Sequence, residues 1–355
     1  MDFLLSSRQL ELKTSIRKFY RKEILPFPRD KEGIKEKMEI LRKEGIWEES
    51  RGKELNFTLL LEEISRENPV LGLWLLGQRS FCLPQLYMFG SGLQKKRFGE
   101  RLSSGEDLGL WDIQGEFFWD SSASLRAEKK EGRWFLKGKK LFWNDISEAD
   151  VVMMTAETEP HGGKEGHSVF ILDDVKKSVE KKRITRSEGE WEVTFKNIEI
   201  PAEHLIGEIG KAYKQTAKIK QEAHVALAGM GLGITAGALD SILEKGTSNK
   251  QKRWGEVQKK AAHGLTNLEA CRFLTYRAAF QKDQKRGSSV EAEYVKSLAG
   301  RMARKSSLYA LQFLTNQKAL KDGVWFNPGS SPTEEEREGI QRYFISNRVY
   351  RSQKS

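Results

Sequence analysis

The sequence predicts an α+β fold in which a small antiparallel β domain lies between an N-terminal all-α domain and a C-terminal α-helical bundle. Apolar residues recur at helical spacing up to about residue 105 and again after Pro201. Between residues 108 and 205 the pattern changes to the alternation that is typical of strands. We therefore expect domains at residues 1–107, 108–205 and 206–355, and a chain of 355 residues is long enough for several structural units.

Helices are expected in the first domain because its apolar residues follow a three- to four-residue period. The series begins at Leu12 and Ile16 and continues through a long apolar stretch to Leu76. The dipeptide Asn68-Pro69 interrupts this pattern, since such a pair is typical of turns. The segment is therefore predicted to form several short, packed helices.

Strands are expected in the middle domain, where short apolar runs are continuous or alternate with polar residues. The predicted strands are residues 151–156, 168–172 and 191–195. A hairpin is predicted as well, because residues 134–136 and 141–143 flank the string KGKK at 137–140. Together these segments predict a small antiparallel sheet.

No membrane span is expected from the hydropathy of the chain. The longest apolar run, residues 225–239, is shorter than the roughly 18 residues that a membrane-spanning helix needs, so we interpret it as a buried helix. The N-terminus has neither the basic nor the apolar segment of a secretory signal. We therefore expect a cytoplasmic protein, with Cys82 and Cys271 as buried thiols in a reducing compartment.

Positive charge is concentrated in the last third of the chain. The formal net charge is +11, and residues 241–355 hold 22 of the 61 Lys and Arg residues but 11 of the 50 Asp and Glu residues. Such an excess attracts an anionic ligand, and a solvated helical surface is the alternative interpretation. The charges fit no nucleic-acid-binding module, so no nucleic acid is expected as a partner. The five histidines lack metal-ligand spacing, which predicts no metal site.

Several strings in all three domains resemble the acyl-CoA dehydrogenase family, and the resemblance covers roughly residues 5–315. These strings are LLLEEI at 59–64, FGSGLQKK at 89–96, VTFKNIEIP at 193–201, LGITAGALD at 232–240 and EACRFLTYRAA at 269–279. The order of helices, sheet and helices is also similar to that family. The chain is therefore identified as a divergent member.

The resemblance implies an FAD-dependent oxidoreductase of fatty acid metabolism. In the family, a thioester of coenzyme A loses two hydrogens across its α and β carbons, and FAD accepts the hydride. The resemblance also implies a homo-oligomer, or a mixed oligomer with a paralogue, because the flavin site of the family is shared between subunits. We expect the apolar runs 225–239 and 308–314 to serve this assembly.

The resemblance identifies candidate flavin contacts, although their motifs depart from the family pattern. The TEPxxGSD motif, whose hydroxyls and glycines contact the flavin ring, aligns near Gln114 without being restored. An aromatic residue followed two positions later by Thr or Ser falls on Phe142 and Asn144, and a core strand aromatic is the alternative for Phe142. The family's Arg-x-x-Phe-Gly, which reaches the FAD diphosphate of a neighbouring subunit, is represented by Arg253 and Gln258.

A carboxylate base has to take the α proton, and two glutamates are candidates. Glu335 stands at the family's usual base position, counted from the string GIQR at 339–342, although its flanking residues differ. The alternative for Glu335 is an acidic helix start capped by Thr333. Glu222 lies one residue from the position that other members use, and one residue turns a helical side chain by about 100°.

These departures support a second hypothesis beside the enzyme. A non-catalytic, acyl-CoA dehydrogenase-like subunit would serve as the structural partner of an active paralogue, or would bind an acyl thioester without oxidising it. Three motifs are weakened in one chain, those of the flavin ring, the diphosphate and the base. At the level of sequence the choice between an enzyme and such a subunit therefore stays open.

Overall fold

The computed structural model describes most of the chain. Its described residues are 5–24, 33–111, 125–142, 145–159, 162–173, 179–183, 191–248, 254–314 and 342. They divide into two compact units. The first unit comprises residues 1–26, 49–73 and 224–355, and the second comprises residues 27–48 and 74–223.

The chain before the sheet is helical, as predicted. Its helices are α1 (Ser7–Phe19), α2 (Ile34–Lys43), α3 (Ile46–Arg51), α4 (Glu54–Glu67), α5 (Pro69–Gly77), α6 (Leu83–Phe89) and α7 (Gly92–Ser104), with single π-helical turns at Tyr20–Ile24 and Gln78–Cys82. The side chains of Ser6 and Ser91 accept hydrogen bonds from backbone N–H groups of the first turns of α1 and α7. Gly105 ends α7 with a φ of 75°, a conformation that favours glycine.

Among the described residues of the second unit, eight strands form one sheet. They are β1 (Gly109–Trp111), β2 (Leu125–Lys130), β3 (Arg133–Phe142), β4 (Val151–Glu157), β5 (His167–Asp173), β6 (Val179–Arg183), β7 (Trp191–Ile200) and β8 (Leu205–Ile206). The order is β6-β7-β3-β2-β4-β5-β8, and β1 pairs in parallel with β4. Most neighbouring strands are antiparallel, which confirms the predicted fold class and the three predicted strands.

The predicted hairpin at residues 137–140 is wrong. β3 continues through these residues without a turn, and its pairing with β7 shifts between Leu136 and Gly138. The turn lies earlier, at Glu131 and Gly132, which have positive φ angles of 50° and 76° and connect β2 to β3. Gly138 marks a bulge inside the strand rather than its end, because a glycine tolerates the local twist of a bulge without breaking the ladder.

Within the described residues, four helices follow the sheet. They are α8 (Ala212–Glu222), α9 (His224–Ser248), α10 (Trp254–Asp283) and α11 (Ser289–Leu314). Of the described helices, α9 is long and apolar enough to cross a membrane between His224 and Glu244, yet 89% of that window is buried inside the protein. The interpretation of residues 225–239 as a buried helix is therefore confirmed, and this run offers no surface for assembly.

Helix α9 lies at the centre of the first unit, in contact with α4, α10 and α11. Glycines bring α4 and α9 close together. A Cβ atom at Gly233 would lie 2.3 Å from the backbone oxygen of Glu62, and one at Gly237 would lie 2.1 Å from that of Arg66. These positions therefore accept glycine alone unless one helix moves. Cys271 is buried in the same core, and Cys82 is buried in the second unit, as predicted for both thiols.

Candidate functional site

Phe142, the candidate flavin aromatic, is the last residue of β3. It lies opposite Trp191 on β7, and its ring is 2% exposed. This burial agrees with the alternative of a core strand aromatic. Asn144 and Gln114, the other two candidates on this side, lie outside the described residues.

Trp111, at the end of β1, carries a buried indole N–H donor and is not among the site residues predicted from the sequence. Its side chain is 2% exposed, and its Nε1 has no hydrogen-bond acceptor among the described residues. The ring of Phe81 stacks on it at a centroid distance of 6.4 Å. A buried N–H group without an acceptor costs about 1–3 kcal/mol, which is a reason to expect an acceptor from a ligand.

The position of Trp111 makes that donor relevant to a flavin. Trp111 immediately precedes residues 112–116, the segment that aligns with the flavin-ring motif. A flavin ring carries carbonyl oxygens and ring nitrogens that accept hydrogen bonds from such a donor. Trp111 is therefore a candidate contact for a flavin. The sequence pattern does not identify β1, so no sequence signal points to Trp111.

The candidates for the diphosphate lie at the start of α10. Arg253 is outside the described residues, whereas Gln258 is exposed on the first turns of the helix. An exposed amide at that place is free to contact a ligand, and no described contact assigns it a structural role. Both residues therefore remain predictions.

Glu222, a candidate base, is the last residue of α8, and its side chain is exposed. The chain turns at Ala223, which is 1% exposed, and α9 begins at His224. The Nδ1 atom of His224 lies 3.1 Å from Oε2 of Glu293 on α11. Because the helix breaks at Ala223, the rotation expected from a one-residue offset on a continuous helix does not apply to Glu222.

Glu335, the other candidate base, lies outside the described residues, but Arg342 of the same string is described. Its side chain is buried, and its guanidinium donates hydrogen bonds to Oγ of Ser241 at 3.0 Å and to the backbone oxygen of Arg66 at 3.1 Å. Nε of Arg66 in turn lies 2.5 Å from Oδ2 of Asp240. Arg342 is therefore held against α4 and α9.

A buried ionic network connects two of the strings that resemble the family. Glu62, from the string at 59–64, is fully buried and accepts hydrogen bonds from Nζ of Lys13 at 3.0 Å, from Nε of Arg272 at 2.6 Å and from the hydroxyl of Tyr276. The last two belong to the string at 269–279. These strings therefore meet in a structural cluster of α1, α4 and α10.

The electrostatics of this network keep Glu62 ionised. Burial alone pushes the pKa of its carboxyl upward, but the charges of Lys13 and Arg272 and the Tyr276 hydrogen bond bring that pKa below its usual value. Burial, and next the charge of Glu62, raise the pKa of Tyr276, so its hydroxyl stays a donor. Glu63 beside it accepts two hydrogen bonds from Arg17, at 2.7 and 3.1 Å. All these groups pair with one another, which points to a structural role.

Metal chemistry has no visible basis in the described part of the chain. No group of three or more His, Cys, Asp or Glu side chains there is arranged to hold a metal ion. The candidate ligand contacts are therefore the buried indole N–H of Trp111, the candidate flavin contacts and the two candidate bases.

Comparison with known proteins identifies a matching family and several related sequences. The family described as acyl-CoA dehydrogenase, N-terminal domain, matches residues 6–106. A short-chain specific acyl-CoA dehydrogenase of Megasphaera elsdenii is 27% identical over 88% of this chain and 89% of the relative. A glutaryl-CoA dehydrogenase of Desulfococcus multivorans is 28% identical over 88% of both chains.

The fold comparison covers nearly the whole chain. The solved structure of butyryl-CoA dehydrogenase from Megasphaera elsdenii superposes with a TM-score of 0.74 over 99% of this chain and 98% of that one. The identity of the superposed residues is 21%. This likeness concerns the fold, and it includes both helical regions and the sheet.

Proposed function

Because this chain belongs to the acyl-CoA dehydrogenase family, we propose that it is a flavoprotein that oxidises the α,β carbon–carbon bond of an acyl-CoA thioester, with FAD as the hydride acceptor. The strongest support is the similarity to a short-chain acyl-CoA dehydrogenase over 88% of the chain. A match of that length includes the sheet and both helical regions.

Residues of the sheet would hold the flavin ring, and residues at the start of α10 would reach the diphosphate of a flavin in a neighbouring subunit, as the resemblance to the family implies. Trp111 would donate its buried indole N–H to an acceptor of the ring, with Gln114, Phe142 and Asn144 on the same unit. Arg253 and Gln258 would contact the diphosphate, since a guanidinium and an amide both donate to phosphate oxygens. Bound FAD supplies the hydride acceptor.

A glutamate would act as the base that removes the α proton. Glu335 as base would remove the α proton and retain it on its carboxylate while the β hydride leaves. Glu222 is the second candidate, because it is exposed at the end of α8 where the chain turns. The burial of Arg342 against α4 and α9 supports Glu335, since Arg342 belongs to the string from which that base position is counted.

The protein would act as an oligomer in the cytoplasm, in fatty acid metabolism. Exposed apolar residues on α10 and α11 support an assembly surface: Phe273 is 55% exposed, Leu274 45%, Phe280 54% and Tyr294 68%. Apolar surface of this kind is commonly covered by another subunit. A second copy and a paralogue are both suitable partners, and neither a nucleic acid nor a membrane is proposed.

A non-catalytic subunit is the second candidate function. Two observations favour it. Ala223 offers no carboxylate at the base position that some family members use, and the Phe142 ring is enclosed by protein rather than presented to a ligand. Such a subunit would bind a thioester or an active paralogue without oxidising substrate.

The base assignment is tested by product analysis of three proteins. The wild-type chain, Glu335→Gln and Glu222→Gln would be incubated with FAD, a short-chain acyl-CoA and an artificial electron acceptor. We expect mass spectrometry to detect the thioester with two hydrogens fewer for the wild type, and at least about a hundredfold less for the variant that lacks the base. Equal turnover by all three proteins would exclude both glutamates, and no product from any of them would favour the non-catalytic subunit.

A further inference from the structure

A buried histidine lies in the turn between β7 and β8, in the second unit. His204 is the last residue of this turn, Ala202–His204, and it is 5% exposed. Among the described residues, neither of its ring nitrogens makes a well-formed hydrogen bond. Such an imidazole is stable in its place only while it is uncharged, since a charged ring would lack the water that solvates it.

The turn is attached to α7 on both sides of His204. Nε2 of Gln94, on the first turn of α7, donates hydrogen bonds to the backbone oxygen of Glu203 at 2.6 Å and to that of Leu205 at 2.9 Å. Oε1 of the same amide accepts a hydrogen bond from the backbone N–H of Ser91 at 2.8 Å. Because both ends of the amide are used, a movement of the turn breaks its contact with α7.

An ion pair beside the histidine connects α7 with the end of β5. Arg97 of α7 donates a hydrogen bond to Oδ2 of Asp173, the last residue of β5. Nε2 of His204 lies 3.9 Å from Oδ1 of the same carboxylate, which is too long for a hydrogen bond. The carboxylate of Asp173 therefore lies between a permanent cation and a ring that becomes a cation when it is protonated.

The groups around the ring act on its protonation in opposite directions. Burial has the largest effect and lowers the pKa of His204 below its usual value of 6.5, whereas the carboxylate of Asp173 raises that pKa and the guanidinium of Arg97 lowers it. The carboxylate of Glu203 and the backbone of Ile171 raise the pKa to a smaller extent. Since burial prevails, the folded protein favours the neutral ring.

Other charged residues lie on the same elements or follow them in the sequence. Strand β8 has none, and Asp174, Lys176 and Lys177 after β5 lie outside the described residues. The remaining charged residues of α7 are Lys95, Lys96, Glu100 and Arg101. Arg101 pairs with Asp107. Within the described part of the chain, the charges with the largest effects on His204 are therefore those of Asp173, Arg97 and Glu203.

We propose that His204 is a proton-sensitive latch between α7 and the sheet. While the ring is neutral, it stays buried beside the pair of Arg97 and Asp173. When the ring takes up a proton from solvent, the imidazolium competes with Arg97 for Asp173 and needs hydrogen-bond acceptors that its buried place does not offer. The turn at 202–204 then moves, and α7 loses its contacts with the turn and with β5. This latch involves neither a flavin nor a thioester, so it does not depend on the proposed function.

The direction of the pH dependence follows from the folded and unfolded states. The pKa of His204 is lower in the folded protein than in the unfolded chain, where it has its usual value of 6.5. The contribution of the neutral ring to stability is therefore complete above pH 6.5. That contribution is lost as the pH falls through the lower folded-state value, so acid opens the latch.

The experiment measures backbone hydrogen exchange by mass spectrometry at about pH 7.5 and about pH 5.5, on either side of the usual histidine pKa. Exchange times are corrected for the intrinsic effect of pH. The wild type is compared with His204→Gln, which keeps a polar side chain that cannot be protonated. His263→Gln is the matched control, because His263 is exposed on α10 in the first unit. His167, whose pKa burial also lowers, is present in all three proteins.

We expect the amides of residues 203–206 to exchange at least about threefold faster at the lower pH in the wild type and in His263→Gln, because protonation favours the locally opened state. The same amides of His204→Gln should exchange equally at both pH values. Peptides from α4, in the first unit, serve as the internal reference and should not change. Equal responses of the wild type and His204→Gln, or a lost response in His263→Gln, would overturn the proposal.

A second variant tests the competition for Asp173. Arg97→Gln leaves the carboxylate of Asp173 to the imidazolium, so the ratio of the exchange rates at the two pH values should be smaller than in the wild type. Arg101→Gln is the control on the same helix, since Arg101 pairs with Asp107, and it should keep the wild-type ratio. Equal ratios in Arg97→Gln and the wild type would overturn the proposal. If circular dichroism shows that His204→Gln does not fold, the comparison of Arg97→Gln with Arg101→Gln decides.

Discussion

Glu62 is a residue whose replacement should strongly reduce stability. Glu62→Gln keeps the shape of the side chain but leaves Lys13 and Arg272 without the carboxylate that they surround. Removing one partner of a buried ion pair costs roughly 3–5 kcal/mol in the free energy of unfolding. We expect that loss in urea unfolding at neutral pH. Glu39→Gln is the control, because Glu39 is an exposed partner of Lys43 and its loss should change little.

The carboxylate of Glu62 should also make the free energy of unfolding depend on pH in the acidic range. The folded-state pKa of Glu62 lies below its usual value of 4.5, so its contribution is complete above pH 4.5 and is lost as the pH falls through the lower folded-state value. Urea unfolding of the wild type and of Glu62→Gln, repeated from neutral pH downward, should give stabilities that converge below about pH 4.5. A constant difference between the two proteins down to low pH would contradict this assignment of the pKa.

The residues of the candidate site were less predictable than those of the core. Trp111 belongs to a strand that the sequence pattern does not identify, and an unsatisfied indole N–H is visible only when the neighbouring atoms are placed. The resemblance to family motifs located Phe142, but not its burial. Motif spacing gives the position of a residue in the sequence. Its burial depends on strands that pair although they are distant in the sequence.

Among the elements, the contact of α4 with α9 depends on glycine at defined positions. Gly237→Ala would place a Cβ atom 2.1 Å from the backbone oxygen of Arg66, so one helix has to move. We expect a loss of about 1–3 kcal/mol in the free energy of unfolding, as is typical of overpacked cores. Gly255→Ala, on α10, is the matched control, because nothing lies within 4 Å of its added Cβ and alanine favours helix. Equal stability of both variants would show that α9 moves at no cost.

The order and type of the elements followed from the sequence because hydrophobic periodicity is local. Residues 151–156 are a short, almost continuous apolar run, and they form the largely buried strand β4 with one added residue. Gly138 misled the hairpin prediction, since a glycine between two apolar runs is typical of a turn and of a bulge alike. Which one forms is decided by the pairing of β3 with β7, which no local pattern contains.

At the scale of the whole molecule, we expect assembly through the exposed apolar face of α10. Phe273→Glu with Phe280→Glu places charges on that face and should shift the mass measured by light scattering toward the monomer, because buried unpaired charges oppose association. Leu93→Glu on α7 is the control, as Leu93 is 76% exposed on a different helix. A monomeric wild type, or an unchanged mass in the double variant, would contradict this surface.

Whole-molecule similarity supports a flavoprotein, while the altered motifs predict weak retention of the flavin. Loss of three family contacts to ring and diphosphate would cost roughly 4 kcal/mol, or about a thousandfold in affinity. We therefore expect the protein to lose much of its FAD during purification and to take it up again when FAD is added in excess. The visible absorbance retained after gel filtration measures this directly.

The most direct test of the proposed function is the visible spectrum of the reconstituted protein under anaerobic conditions. With excess FAD bound and oxygen removed, addition of a short-chain acyl-CoA should bleach the flavin absorbance, because oxidation of the thioester transfers a hydride to the cofactor. We expect bleaching by the wild type and its loss in the Glu335→Gln or the Glu222→Gln protein. A stable yellow spectrum with every acyl-CoA tested, or a protein that takes up no FAD, would contradict the proposed function.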